Sequence, residues 1–384
     1  MASEQPTEGV SVWETLRPDF PVQSLQTDLR TEVLVIGAGV SGALVAQALS
    51  AQGRDVAVID KNAPGDGSTA ASTCLLLFEI DNPLTVLADK IGEEKAARVW
   101  RRSFRAMQNL TEKVRALDIA CDYAGRDALL LPGKILGPAG LRRECEARAA
   151  LGLESRIVER EELLREFGID RPCAILSGNS AEAHPVKLAL GVLRRAQAQG
   201  AKIFSPVEAV SIETGEKYAT VTTSNGHRIT ADFVVFCCGY QLPGFLSVKR
   251  HQIVSTWAAA TKPQPQNLWP SKAMIWEAAD PYLYIRTTPE GRVLIGGEDE
   301  EHNDNARRIK RTPAKLERFR SKLGLLMPQL DFEVDFAWSG AFGSSSTGLP
   351  MIGNVPGMPR VCAVLGFGGN GTTYAQIAAE MIAN

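Results

Sequence analysis

Residues 32–60 read EVLVIGAGVSGALVAQALSAQGRDVAVID. Residues 32–36 are a short, nearly continuous apolar run, the pattern of a strand buried on both faces. Gly37, Gly39 and Gly42 follow at GxGxxG spacing, then a small-residue helical segment closed by Gly53, then a second apolar run at 55–59. A strand, a helix and a second strand in so short a stretch predict a parallel βαβ unit. With 34 glycines in 384 residues, chance would place such a triplet about 0.3 times in a chain of this length, so the motif alone proves little. Its setting gives it force, because an acid, Asp60, ends the second strand about 20 residues on. Gly37 permits the tight turn, Gly39 lets a pyrophosphate approach the backbone, Gly42 lets helix and strand pack closely, and Asp60 accepts ribose hydroxyls. The stretch therefore predicts binding of an adenine dinucleotide. An acid at this place disfavours a 2′-phosphate, while FAD and NAD are not separated by it.

On the N-terminal side, residues 1–30 carry Pro6, Pro18 and Pro21 without periodicity and read as an extended arm. On the C-terminal side, helices are expected at 91–117, 141–150, 159–168 and 186–199. Residues 207–212 and 218–223 suggest an antiparallel meander, 233–236 a further buried strand, and 253–297 a series of short strands. Helix is expected again over 313–326 and over 372–382, the last preceded by the glycine-rich 366–371.

The composition excludes several classes. Hydrophobic residues at 45% and charged residues at 22% are ordinary globular usage, and the longest apolar runs fall far short of the ~20 residues of a membrane span. Forty-two basic against 44 acidic residues leave a net charge of −2, so nothing global favours nucleic acid or an anionic membrane as partner. Seven cysteines without a CxxC pair and four scattered histidines argue against a disulfide framework and against a metal site. The first 30 residues lack a basic segment followed by an apolar one, so a cytoplasmic location is expected.

Further motifs follow in order: Gly67-Ser-Thr-Ala-Ala-Ser-Thr-Cys-Leu75, Ser205-Pro-Val207, ADFVVFCCGY at 231–240, Trp338-Ser-Gly340, Gly348-Leu-Pro-Met-Ile-Gly353 and Gly366 to Thr372. Taken together they resemble the flavoprotein superfamily of D-amino-acid oxidase, glycine oxidase and sarcosine oxidase, from about residue 31 to the end of the chain. The resemblance implies FAD, and because some relatives attach it through a cysteine or histidine that no matched motif places here, a dissociable, non-covalent FAD is expected. It implies an α/β fold in which a Rossmann-like FAD-binding domain with a central parallel sheet is interleaved with a mainly antiparallel substrate domain. The motif order divides the chain into an arm at 1–30, FAD-binding pieces at 31–80, 184–245 and 335–384, and substrate pieces at 81–183 and 246–334. The FAD contacts it implies are Gly37, Gly39, Val40, Ser41, Gly42, Asp60, Lys61, Ser68, Thr69, Ala71, Ser72, Thr73, Val207, Gly239, Gly369, Asn370, Gly371 and Thr372. Cys74 is the one cysteine near enough to tempt a covalent link, and no motif places it convincingly.

Such enzymes need few catalytic side chains, since the flavin takes the hydride and the protein binds, orients and desolvates. The implied activity is oxidation of a C–N bond in a small amine or amino acid to an imine. Alternatives on the same fold are a hydroxy-acid or glycerol-phosphate type dehydrogenase, marked by phosphate-binding arginines in the cavity, and a flavin-binding subunit without turnover. Two arginines that bind the substrate carboxylate in some relatives fall here on Phe342 and Gly369. Candidate substrate contacts are Glu79, set against an ordinary exposed or capping acid; Tyr284 and Arg286, the latter set against an ion pair; and His251, set against a structural histidine. The strand at 292–297 lacks the lysine that assists oxygen reduction in sarcosine oxidase-like relatives, which leaves the electron acceptor open between oxygen and another molecule.

Overall fold

A computed structural model describes residues 7–246 and 252–384. Two sheets organise them. The first has the parallel core Arg228–Phe236, Leu29–Ile36, Val56–Ile59 and Lys202–Phe204 in that spatial order, with Val361–Leu365 parallel to Arg228–Phe236. The apolar runs of these strands are buried on both faces, as a parallel sheet covered by helices requires. The expected meander is Ala209–Thr214 paired antiparallel with Ala219–Thr223, and it extends this sheet through Arg228–Phe236.

The helix after the glycine turn, Val40–Ser50, is apolar on nearly every side because it is enclosed. It packs on the helices Pro185–Ala198 and Gly371–Ile382. Outside the sheet, Glu93–Ala116 presents the stripe Ala96, Trp100, Met107, Leu110 and Val114 to the same core.

The second sheet is mainly antiparallel. Its spatial order runs Thr7–Gly9, Val334–Ser344, Gln252–Thr261, Val293–Glu300, Leu283–Thr287, Met274–Glu277, Ala124–Leu131, Cys173–Glu182 and Leu75–Leu76. Three observations depart from the sequence reading. The arm is not merely extended, because Thr7–Gly9 pairs with Val334–Ser344 and Trp13 is buried. That same Val334–Ser344 strand, which the motif order sets with the nucleotide part, lies in the second sheet. The helix expected from Pro313 begins eight residues earlier, at Asn305, where Asp304 accepts the amide of Arg307 at 3.0 Å and caps it. Pro313 resembles a helix start in sequence because proline favours the first turn, but here it sits inside the helix and removes one rung.

No helix among the described residues is long and apolar enough to cross a membrane. No group of three or more potential metal ligands occurs among them.

Candidate functional site

A cleft of about 760 Å³ runs from the carboxyl ends of the parallel strands to the face of the second sheet. Its nucleotide end is built by the glycine turn. Gly37 has φ +113°, and a Cβ there would collide with the carbonyl of Cys237 on the neighbouring strand. A Cβ on Gly42 would strike the carbonyl of Gly37, so close packing of turn and helix depends on both glycines. Gly39 leaves the helix start without a side-chain cap, an opening at the positive end of a helix dipole where a phosphate fits. Thr69 Oγ accepts the amide of Val40 at 3.0 Å and ties the hydroxyl-rich loop to this turn.

Asp60 closes the end of the second strand. Its two oxygens accept the amides of Ala38 at 2.6 Å and Asn62 at 2.8 Å. Burial raises its pKa, and these two amides oppose the rise by favouring the carboxylate. The acid therefore braces the turn as well as facing the cleft.

The loop at 67–75 crosses the middle of the cleft, and side chains anchor it from three directions. Trp13 Nε1 donates to Ser72 O at 2.7 Å, and Trp338 Nε1 donates to Ala71 O at 2.8 Å. Arg286 Nη1 donates to Cys74 O at 2.9 Å and to Ala183 O at 3.1 Å. Cys74 has φ +56°, uncommon for a residue with a side chain, so the arginine holds a strained turn in place. The far wall is the glycine-rich turn. Asn370 Nδ2 donates to Glu79 O at 2.7 Å, Asn370 Oδ1 accepts the amide of Asp81 at 3.0 Å, and Thr373 Oγ donates to Leu77 O at 2.7 Å.

Of the FAD contacts expected from sequence, all but Gly42 line this cleft. Gly42 packs beneath it. Tyr284 also lines it, with burial raising the pKa of its phenol and the Thr73 and Thr256 hydroxyls close by. A Cβ on Gly296 would fall within the Tyr284 ring, so that glycine makes the seat for it.

Two substrate-contact expectations are corrected. Arg286 is buried and does not line the cleft. Its guanidinium is engaged by two carbonyls, stands 3.9 Å from Glu182 and lies over the Trp13 ring at 5.3 Å. Glu79 borders the cleft, but its carboxylate is fully buried, paired with Arg148 and accepting from Ser177 Oγ at 3.1 Å. Burial raises its pKa, and Arg148 opposes the rise. Arg148 also reaches Glu144 at 2.9 Å, and Glu144 in turn accepts the amides of Leu84 and Thr85 at 2.8 Å. Neither group is available to a substrate. His251 lies outside the described residues.

Sequence reading missed Asp81, Thr256, Trp276 and Tyr282, which line the end of the cleft beyond the loop. Asp81 stands two positions from a residue that was considered, and Tyr282 two positions from Tyr284; Thr256 and Trp276 fall on strands Gln252–Thr261 and Met274–Glu277, which carry no motif. Phe342 lines this end too.

The geometry matches known proteins. The family model described as DAO, FAD dependent oxidoreductase, matches residues 32–384. A probable oxidoreductase OrdL of Rhizobium meliloti (strain 1021) is 27% identical over 392 residues, covering 98% of this chain and 87% of that protein. The gamma-glutamylputrescine oxidoreductase of Escherichia coli (strain K12) is 24% identical over 374 residues, with 94% and 85% covered. The crystal structure of glycine oxidase from Geobacillus kaustophilus superposes with a TM-score of 0.73 at 20% identity, covering 92% of this chain and 94% of that one.

Proposed function

The chain belongs to the DAO family of FAD dependent oxidoreductases, and on that premise we propose that it oxidises a C–N bond of a small amine or amino acid to an imine. Two relatives with related printed activities, the gamma-glutamylputrescine oxidoreductase and the glycine oxidase, support this reading. The observation that carries it is the continuity of the cleft. One cavity joins the uncapped helix start at Gly39 to a chamber walled by Trp276, Tyr282, Tyr284 and Phe342, so a dinucleotide and a small substrate fit end to end.

In this reading the Val40 helix start receives the pyrophosphate, Asp60 the ribose, and Ser68, Thr69, Ser72 and Thr73 the phosphate and ring oxygens. Bound FAD supplies the two-electron acceptor at its ring. The chain contributes position and exclusion of water. The anchored 71–74 loop fixes one face of the ring site, the amides of 371–372 at the start of the last helix favour negative charge at its edge, and the aromatic chamber desolvates the carbon that loses hydride. The Cys74 thiol is buried, which pushes its pKa up to about 11. It is a poor nucleophile there, and the FAD is held without a covalent link.

Among the described residues lining the cleft there is no arginine, whereas a glycerol-phosphate type substrate would call for several. Anaerobic addition of amines, amino acids and hydroxy acids to the purified yellow protein tests the reading. Bleaching of the flavin by an amine or amino acid is expected, and readmitted air then reports whether oxygen is the acceptor. Bleaching by hydroxy acids alone would overturn it, as would a panel that bleaches nothing. Acid precipitation should leave the flavin in the supernatant.

A further inference from the structure

The far end of the cleft carries a carboxylate that the FAD reading leaves unused. Asp81 lines the cleft and is open to it. Its Oδ2 accepts the amide of Gly369 at 2.8 Å. A Cβ on Gly369 would lie 2.7 Å from Oδ1, so the carboxylate rests against bare glycine backbone with no cation between. Burial within the walls of the cleft pushes its pKa up to about 6, opposed by the Gly369 amide, and the group is still ionised at neutral pH.

Aromatic rings share the cavity with it, and the charge of Asp81 acts on the phenols of Tyr282 and Tyr240. Trp276, Tyr282, Tyr284 and Phe342 line the same cavity, and the rings of Tyr282 and Tyr284 stand 5.8 Å apart. A second carboxyl, Asp299, lies beside the Tyr282 and Thr256 hydroxyls and adds negative potential only as it ionises, near pH 7. A carboxylate among aromatic faces attracts an ammonium group and repels another carboxylate. Lys61 is the one lysine among the described residues lining the cleft, and it follows Asp60 at the nucleotide end.

We propose that this end of the cleft is an ammonium subsite, in which Asp81 and the surrounding rings hold the cationic nitrogen of an amine, so that amines are selected over substrates whose recognition depends on a carboxylate. The inference rests on the C–N oxidation reading and narrows its substrate class. Recognition concerns the cation; the proton passes to water before hydride leaves, because oxidation of the C–N bond draws on the nitrogen lone pair.

A pair of ligands matched in shape and opposite in charge tests this on the FAD-loaded full chain. tert-Butylammonium has no hydrogen on the carbon bearing nitrogen and cannot be oxidised, and pivalate replaces its ammonium with a carboxylate. Titration followed by the flavin absorbance spectrum should show saturable binding of tert-butylammonium and none of pivalate at tenfold higher concentration. Asp81→Asn keeps an acceptor for the Gly369 amide and should raise the tert-butylammonium Kd at least tenfold at unchanged flavin content. Tyr282→Leu, which leaves Asp81 and Gly369 untouched, should raise it several-fold and serves if the first variant loses flavin. Tighter binding of pivalate, no binding of tert-butylammonium, or an unchanged Kd in both variants would overturn the subsite. Failure of the C–N reading looks different: tert-butylammonium binds, yet no amine or amino acid bleaches the flavin.

Discussion

Trp13 Nε1 donates to the carbonyl of Ser72 at 2.7 Å, a bond that spans 59 residues of chain and joins the arm to the loop crossing the cleft. The same indole packs tilted against His184, with ring centroids 4.8 Å apart, and lies under the Arg286 guanidinium. One side chain thus touches both the loop and the arginine that holds its strained turn. Trp13→Phe keeps an aromatic ring in place and loses the donor, so the net worth of one hydrogen bond, about 1 kcal/mol, should weaken FAD binding about fivefold. Trp13→Ala should weaken it further. Fluorescence of released flavin on dilution gives the Kd, and equal retention in both variants and the wild type would show that the arm does not restrain the loop.

Arg148 separates two buried carboxylates, Glu79 and Glu144, and lies over the Trp100 ring at 4.7 Å. Replacing it with Met leaves both carboxylates buried without a cation, for which a loss of about 3–5 kcal/mol is expected. Glu79→Gln should cost less, since Arg148 keeps Glu144. Urea unfolding of the two variants gives the comparison. Were Glu79→Gln fully stable but raised in substrate KM, Glu79 would be a substrate contact and the assignment of its carboxylate to the core would be wrong.

The pKa of Asp299 is raised to about 7 chiefly by burial, with a contribution from Asp81, while the Thr256 and Tyr282 hydroxyls oppose it. The folded state then binds a proton that the unfolded chain releases at ordinary carboxyl pH, so stability falls as pH rises from about 4 through 7. Asp299→Asn removes this penalty. Its thermal midpoint should exceed the wild type's at about pH 8.5 and match it only at about pH 3.5, below the unfolded carboxyl pKa. A difference of the same size at both pH values would mean that Asp299 is not protonated in the native state.

The nucleotide half was legible because its function is written in backbone geometry. A residue with a Cβ at 37 or 42 would meet a carbonyl, so glycine there marks close approach in sequence and in space alike. Glu79 and Arg286 were misjudged for the opposite reason. Their partners are distant along the chain, Arg148 69 residues from Glu79 and Cys74 212 residues from Arg286. No local pattern distinguishes a charged side chain spent on such a partner from one kept free for a ligand. Arg308, one of four basic residues within 307–311, is likewise buried. Of the aromatic chamber, Tyr284 and Phe342 were legible and Trp276 was hidden, because antiparallel pairing brings it there. Trp276 stands opposite Tyr284 only through the register of Met274–Glu277 with Leu283–Thr287.

The strand Thr7–Gly9 finds its partner in Val334–Ser344, more than three hundred residues later, with Gly9 opposite Trp338. A pairing so remote closes a long loop, and such contacts form slowly. During synthesis the earlier strand must therefore wait for its partner, made more than three hundred residues later. Until it docks, Ser72 lacks its bond to Trp13, and Ala71 waits for Trp338 on that same late strand. Two of the three anchors of the loop at 67–75 thus depend on the pairing of strands far apart in the chain.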